Sequence, residues 1–430
     1  MRLSFGRGKY AEPGQLSFDL MAQLDSVDRR TGVQSRPAAG PQSLAHLLET
    51  LHGNTGQRVV TLVDEYDKPV LDALGAPDIA RANRDYPRRL YSVIKVCDAH
   101  VRFCFLTGVS RFSKAILSSG LNSLQDISLN PGYLSICGYT ERDLDAVFAP
   151  ELAGLDRQRI RDWYAGYSWG GEERVYNPSD VPLLLGDREF KPWWYETGSV
   201  TFLIDLIADS GLAWHRLDGM PASEGLISTL DVGNIAPEAL MFQAGNLTVL
   251  NREDRGGRVR YRLGYPNRKV RASLNRTLLD DLLAAGWQRE DQEWRLIEVL
   301  TAGDLEGLEE LLRAMLAGIP RSGTGGTRWR RYEGFYASVL YAHFAATGAE
   351  VRAEESGSLG RADLCVRAFG RANVFEFKMK GRAGSETALA NLQARGYADR
   401  YRGLGEPIHL VGAEFGAETR NITGFEAELA

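Results

Sequence analysis

At 430 residues, with 44% hydrophobic, 10% aromatic and 25% charged side chains, the chain has a globular composition, and its length favours two or three domains over one. Fifty-one Lys and Arg against 56 Asp and Glu leave a formal charge of -5, so no global positive field draws it onto nucleic acid and any such surface must be local. The four cysteines, Cys97, Cys104, Cys137 and Cys365, form neither a CxxC pair nor a His/Cys cluster, which argues against structural zinc and for reduced thiols.

The amino terminus has no apolar signal core, and no run approaches the ~20 apolar residues of a membrane span. The expected location is cytoplasmic, without a membrane partner. A short strand near Met1–Phe5 precedes a polar stretch, Asp25–Ser43, and an amphipathic helix, Ser43–His52. The apolar run Arg58–Val63, ending in Asp64-Glu65, predicts a strand buried on both faces of a parallel sheet. A helix over Arg88–Ala99 leads to a second such strand, Val101–Thr107, ending in Gly108-Val109-Ser110-Arg111. Strand, helix, strand predicts a doubly wound sheet.

From about Thr140 to Gly318 the chain reads as mostly helical, with a hairpin where Leu247–Leu250 and Arg258–Leu263 flank Gly256-Gly257. The Gly-rich stretch Ile319–Thr327 marks a boundary. A helix over Tyr332–Thr347, strands near Glu350–Ala353, Ala362–Ala368 and Asn373–Met379, a helix over Ser385–Tyr401 and a strand over Pro407–Gly412 follow. Thus the expected fold class is α/β, divided into 1–185, a helical and winged-helix-like 186–318, and a compact mixed-sheet domain, 319–430.

The sharpest chemical signal lies in that last domain. Asp363 opens one strand and Glu376 closes the next, so folding about the turn at Gly370-Arg371 sets the two carboxylates nearly opposite. Glu376 and Lys378 share a face because side chains alternate. Two hard oxygen donors suit Mg²⁺ (or Mn²⁺), which is completed by waters and a substrate phosphate, and Lys378 can orient a water or stabilise developing negative charge. The plain alternative is a hairpin with a surface salt bridge. Residues 319–430 carry fifteen Lys and Arg against thirteen Asp and Glu, and Arg328, Trp329, Arg330, Arg331, Lys380 and Arg382 flank the carboxylates. Basic side chains interleaved with an aromatic can hold a backbone and stack a base.

The Asp363…Glu376-x-Lys378 pattern in this α-β-β-β-α-β order resembles the PD-(D/E)XK nuclease superfamily, with its restriction-endonuclease-like fold. The resemblance implies Asp363, Glu376 and Lys378 as catalytic, with Asp363 and Glu376 on the metal. It adds Glu333 in the preceding helix, and Gln393 with Tyr397 on the following one. In the first third, Val59–Glu65 is a Walker-B-like strand in which Asp64 would hold Mg²⁺ and Glu65 would polarise a water. Leu62-Val-Asp-Glu-Tyr-Asp-Lys-Pro69 and Leu106-Thr-Gly-Val-Ser-Arg-Phe-Ser-Lys114 resemble the AAA-ATPase-like module of prokaryotic proteins that end in such a nuclease domain. So do Asp126-Ile-Ser-Leu129, Cys137-Gly-Tyr-Thr-Glu141, Trp163-Tyr-x-Gly-Tyr167, Tyr176-Asn-Pro178, Trp194-Tyr-Glu-Thr-Gly198 and Leu263-Gly-Tyr-Pro-Asn267. Arg111 follows the position of a polar sensor; a salt bridge to Asp64 or Asp67 is its structural alternative.

The chain departs from that family in one respect. It has no G-x-x-x-x-G-K-[ST], whose amides would cradle phosphate; the Gly8-Lys9 pair has Leu3 and Tyr10 at the flanking key positions. The family's P-loop strand and helix come before the segment that Met1–Tyr10 resembles, which implies either a truncated module with weak or absent ATP binding or a start assigned too late in the reading frame. The leading expectation is therefore a metal-dependent hydrolase of nucleic acid, DNA ahead of RNA, with homo-oligomers among its expected states. An ATP-dependent regulatory switch and a non-catalytic interaction protein are the alternatives.

Overall fold

The computed structural model describes residues 1–32, 41–110, 124–192, 206–207, 214–227, 235–283, 286–319, 333–356, 361–380, 387–403, 405–416 and 418–430. They form two units: 1–133 with 222–245, and 134–221 with 246–430. Residues 134–185, which the motifs group with the amino-terminal module, cluster with the second unit.

The first unit is built on three parallel strands, β1 (Arg2–Ser4), β2 (Val59–Asp64) and β3 (Val101–Leu106), with β2 central. The accompanying helices are α1 (Gln15–Thr31), α2 (Pro41–Thr55) and α3 (Pro77–Val96). In α1, Leu16, Leu20, Leu24 and Val27 recur every three or four residues and are buried, so part of the polar stretch is an amphipathic helix. Helix α3 runs through Pro87, which is buried inside it, whereas a helix beginning at Arg88 is what proline's missing N–H predicts.

Strand β2 corrects a second expectation. Only alternate residues are buried: Val59, Thr61 and Val63 are covered, while Val60, Leu62 and, on β3, Phe103 (54%) are exposed. The apolar run therefore belongs to a sheet with one covered face among the described residues, and continuous hydrophobicity does not distinguish this from two-sided burial.

In the second unit, α4 (Glu141–Val147), α5 (Arg157–Tyr164) and α6 (Asp180–Asp187) share a core of Leu144, Ile160, Tyr164, Tyr176, Val181 and Leu184. Thr140 and Asp143 form a capping box at α4, and Asp156 caps α5. The hairpin is present as β4 (Thr248–Arg255) and β5 (Arg258–Gly264). Arg255 pairs with Arg258, so the loop is Gly256-Gly257, both at positive φ, as a two-residue turn with right-handed strand twist requires. Helices α7 (Arg268–Leu283), α8 (Gly286–Ala302) and α9 (Leu305–Ala317) follow.

The carboxyl-terminal part is α10 (Glu333–Ala346), β6 (Glu350–Ser356), β7 (Arg361–Ala368), β8 (Arg371–Met379), α11 (Ala388–Ala394), β9 (Ile408–Phe415) and β10 (Ile422–Leu429). The five strands form one mixed sheet in the order β10-β9-β8-β7-β6, with β8 and β9 parallel and the other pairs antiparallel. Helix α10 packs on one face, where Phe344 meets Phe375 and Tyr336 stacks on Phe415 at 4.3 Å. On the other face Val374, Leu392, Tyr397, Ile408 and Leu410 form a core. Instead of one helix over Ser385–Tyr401 there are two short ones, because Gly396 enters the left-handed region (φ 61) just after Arg395 closes α11.

Candidate nuclease site

Strands β7 and β8 are joined by a two-residue turn at Phe369-Gly370, one residue before the expected Gly370-Arg371: Ala368 pairs with Arg371, and Phe369 and Gly370 both have positive φ. Pairing then runs to Leu364 opposite Phe375, and one more step in the same register sets Asp363 opposite Glu376. There the Asp363 carboxylate accepts the Phe377 N–H at 2.7 Å. Asp363, Glu376 and Lys378 consequently occupy one face of two adjacent strands, the face that carries Val374 into the core under α11.

The carboxylates sit in different environments. Asp363 is half-buried and Glu376 is buried at the sheet centre. Burying a carboxylate is costly without a compensating charge, and Arg395 provides one, its Nη1 lying 3.8 Å from Glu376 Oε1. The guanidinium is held above its usual range, by its hydrogen bond to the Tyr397 hydroxyl first and then by the charges of Tyr397, Glu376 and Asp363. Arg395 thus faces the Glu376 carboxylate. Its neighbour Gln393 is what the motif draws attention to, and only the end of α11 at Gly396 turns the arginine inward.

Lys378 is half-buried, and its Nζ donates at 3.4 Å to the carbonyl of Thr387, whose hydroxyl caps α11. Gln393 is exposed on α11, and its Nε2 donates to Glu428 on β10 at 2.7 Å, so it is not gathered with the carboxylates. Tyr397 lies beyond α11 with its ring in the core. Glu333 begins α10; its side chain lies outside the described residues, as do Arg328, Trp329, Arg330, Arg331 and Arg382. Lys380 is exposed just past β8.

Among the described residues no group of three or more His, Cys, Asp or Glu side chains converges on a metal position. The donor set is a pair of hard carboxylate oxygens, a fit to Mg²⁺ or Mn²⁺, which keep waters and take only one or two protein carboxylates.

Helix α11 is seated by a glycine. Gly412 on β9 pairs with Glu376, and a Cβ there would lie 2.4 Å from the Leu389 nitrogen and 3.0 Å from the Ala388 carbonyl carbon. Gly412→Ala should therefore push α11 off the sheet, at a cost of about 1–3 kcal/mol, measured as a lowered denaturation midpoint.

The Walker-B-like residues are organised differently. Asp64 lies at the end of β2, with Arg2 Nη2 at 2.8 Å, Thr107 Oγ1 at 3.0 Å and Ser4 Oγ at 3.4 Å, so its oxygens are already occupied. The Arg2 hydrogen bond, aided by Thr107 and Ser4 against partial burial, holds its carboxyl below the ordinary range. A lowered folded value means a contribution complete above the unfolded value of about 3.9 and lost as pH falls through the folded one. The pair is partly exposed, so Arg2→Ala should cost less than about 1 kcal/mol at pH 7. It should also move the Asp64 titration upward, followed by NMR. Glu65 follows in the left-handed region (φ 54), which swings Tyr66 and Asp67 toward residues 107–110. Arg111 lies outside the described residues.

The sequence motifs understate Asp67. It is fully buried and accepts from Ser110 N at 2.5 Å, Ser110 Oγ at 2.6 Å and Val109 N at 3.2 Å. Burial pushes its carboxyl up, against the pull of Ser110. A Cβ on Gly108 would strike its Oδ1 at 2.2 Å. The two most specific amino-terminal motifs, Leu62–Pro69 and Leu106–Lys114, therefore interlock through Asp67, and the described part of the second closes a loop around the first.

Two family models match: a predicted AAA-ATPase over residues 1–118 and the PD-(D/E)XK nuclease superfamily over residues 331–425. An uncharacterized protein in the vnfD 5' region of Azotobacter chroococcum mcd 1 is 47% identical over 428 residues, spanning 100% of this chain and 83% of the relative. No solved structure matches. No helix among the described residues is long and apolar enough to cross a membrane.

Proposed function

The chain belongs to the AAA-ATPase-like proteins that carry a carboxyl-terminal PD-(D/E)XK nuclease-superfamily domain, and from that premise we propose that it hydrolyses phosphodiester bonds of nucleic acid, DNA ahead of RNA. The observation that carries this reading is the shared face of Asp363, Glu376 and Lys378 across adjacent strands. Asp363 and Glu376 would hold Mg²⁺ or Mn²⁺. Once bound, such an ion supplies an acidified water and a clamp on the phosphate oxygens.

The chain's own groups do the rest. The bond from Phe377 N–H fixes one Asp363 oxygen and so aims the other. Arg395 offsets the charge of Glu376 in its buried setting and presents a cation on the same face. Lys378, a positively charged donor two residues from Glu376, would orient the attacking water or receive the charge that develops on the phosphate. The amino-terminal unit supports a scaffold role more than nucleotide hydrolysis, because the donors around Asp64 and Asp67 are internal ones.

The test is to incubate the full chain with labelled DNA and RNA in Mg²⁺ or Mn²⁺, with a chelator control. Cleavage that stops on chelation and returns with metal is the expected result. No cleavage of either polymer under any of these conditions, or cleavage indifferent to the chelator, would overturn it.

A further inference from the structure

Four motifs left unused by the nuclease reading border one cleft of about 740 Å³ in the second unit: Glu141, Gly166, Tyr176 and the pair Pro266-Asn267 each come from a different one. Their mutual contacts make a rigid wall. Gly166 sits at φ 99, and a Cβ there would lie 1.9 Å from the Pro266 carbonyl oxygen. Asn267 Nδ2 donates to the Ala165 carbonyl at 2.8 Å, while its Oδ1 accepts from Val270 N at 3.0 Å. Residues about a hundred positions apart in sequence thus fix one another's backbone.

The charges along this wall are unevenly used. Glu141 is occupied by Arg161 at 2.6 Å, Arg157 at 2.7 Å and the Tyr176 hydroxyl at 2.5 Å. Glu350 is occupied by Arg352 at 2.6 Å, and Asp162 accepts from Gln158. Arg174 and Arg268, in contrast, have no carboxylate partner among the described residues; Arg268 reaches only the Gly348 carbonyl, at 3.3 Å. Arg271 pairs with Asp218 through Nη2, and its buried Nε has no acceptor among the described residues. Against these donors stands Glu172, an exposed acid on the rim. The cleft has unspent guanidinium donors and a volume in the range of small-molecule sites, and a guanidinium fork matches phosphate oxygens in pairs.

We propose that this cleft binds a phosphate-bearing nucleotide, free or as the end of a strand, through Arg174, Arg268 and Arg271. It is a different place from the carboxylate site. Ala353 on β6 pairs with Leu364, so residue 354 stands opposite Asp363. Glu350 at the cleft is four positions away, roughly 13 Å along the strand.

The experiment is calorimetry on the full chain at low salt with inorganic phosphate, AMP, ATP and a short oligonucleotide as probes. ATP or the oligonucleotide should bind, and Arg174→Ala and Arg268→Ala should each weaken that binding about tenfold or more. Arg174 is exposed, so its variant tests the site without risk to the fold. Tighter binding of ATP than of the oligonucleotide assigns the site to free nucleotide, and the reverse to a strand end. Absence of binding by every probe, or affinity unchanged in both arginine variants, would each overturn the proposal. Because cleavage is not the readout, failure here leaves the nuclease reading untouched.

Discussion

Asp363→Asn should abolish metal-dependent cleavage while leaving the fold intact. The amide keeps an oxygen to accept the Phe377 N–H, so the splice between β7 and β8 is preserved, but one of two anionic donors is lost. The metal concentration required should rise sharply, and excess Mn²⁺ should restore part of the rate. Lys378→Ala should behave differently. It removes a positively charged donor and no metal ligand, so the rate at saturating metal should fall about 10²–10³-fold, and excess Mn²⁺ should not rescue it. Activity surviving both substitutions would mean that this face is not where hydrolysis occurs.

That these three residues could be found without coordinates follows from the turn between their strands. A two-residue connection at Phe369-Gly370 fixes the register of everything beyond it, and Asp363 opposite Glu376 is a consequence of counting. Arg395 was not legible in this way, because its direction depends on where α11 stops, and the left-handed Gly396 that stops it lies inside a stretch of acceptable helix formers. Strand β10 is faint in the sequence for a related reason. It is an edge strand with mostly half-buried residues, so its alternation of apolar and polar side chains is faint. Asp67 reads in sequence as one more acid in an Asp-Lys-Pro turn; its burial depends on Ser110, 43 positions away, a pairing that no local pattern encodes.

A further buried acid carries the largest expected stability effect. Asp180, the first residue of α6, is completely buried, and Lys269 in the first turn of α7 meets its Oδ2 at 2.5 Å with a side chain only 5% exposed. Burial pushes the Asp180 carboxyl up, and Lys269 draws it back. Its other oxygen, Oδ1, has no hydrogen-bond partner among the described residues, so Lys269 is the principal compensation for the charge. Lys269→Met should accordingly cost about 3–5 kcal/mol, because it strands a carboxylate in the core. A folded value raised above the unfolded one means stability that declines as pH rises through it, and loss of the lysine raises that value further. The deficit should therefore be largest near neutral pH and shrink toward the unfolded carboxylate range, about pH 4, in denaturation series at several pH values. The double variant Asp180→Leu with Lys269→Met removes both charges and should recover most of the loss. A deficit independent of pH, or undiminished in the double variant, would show that Lys269 acts through packing of its alkyl chain and not through charge.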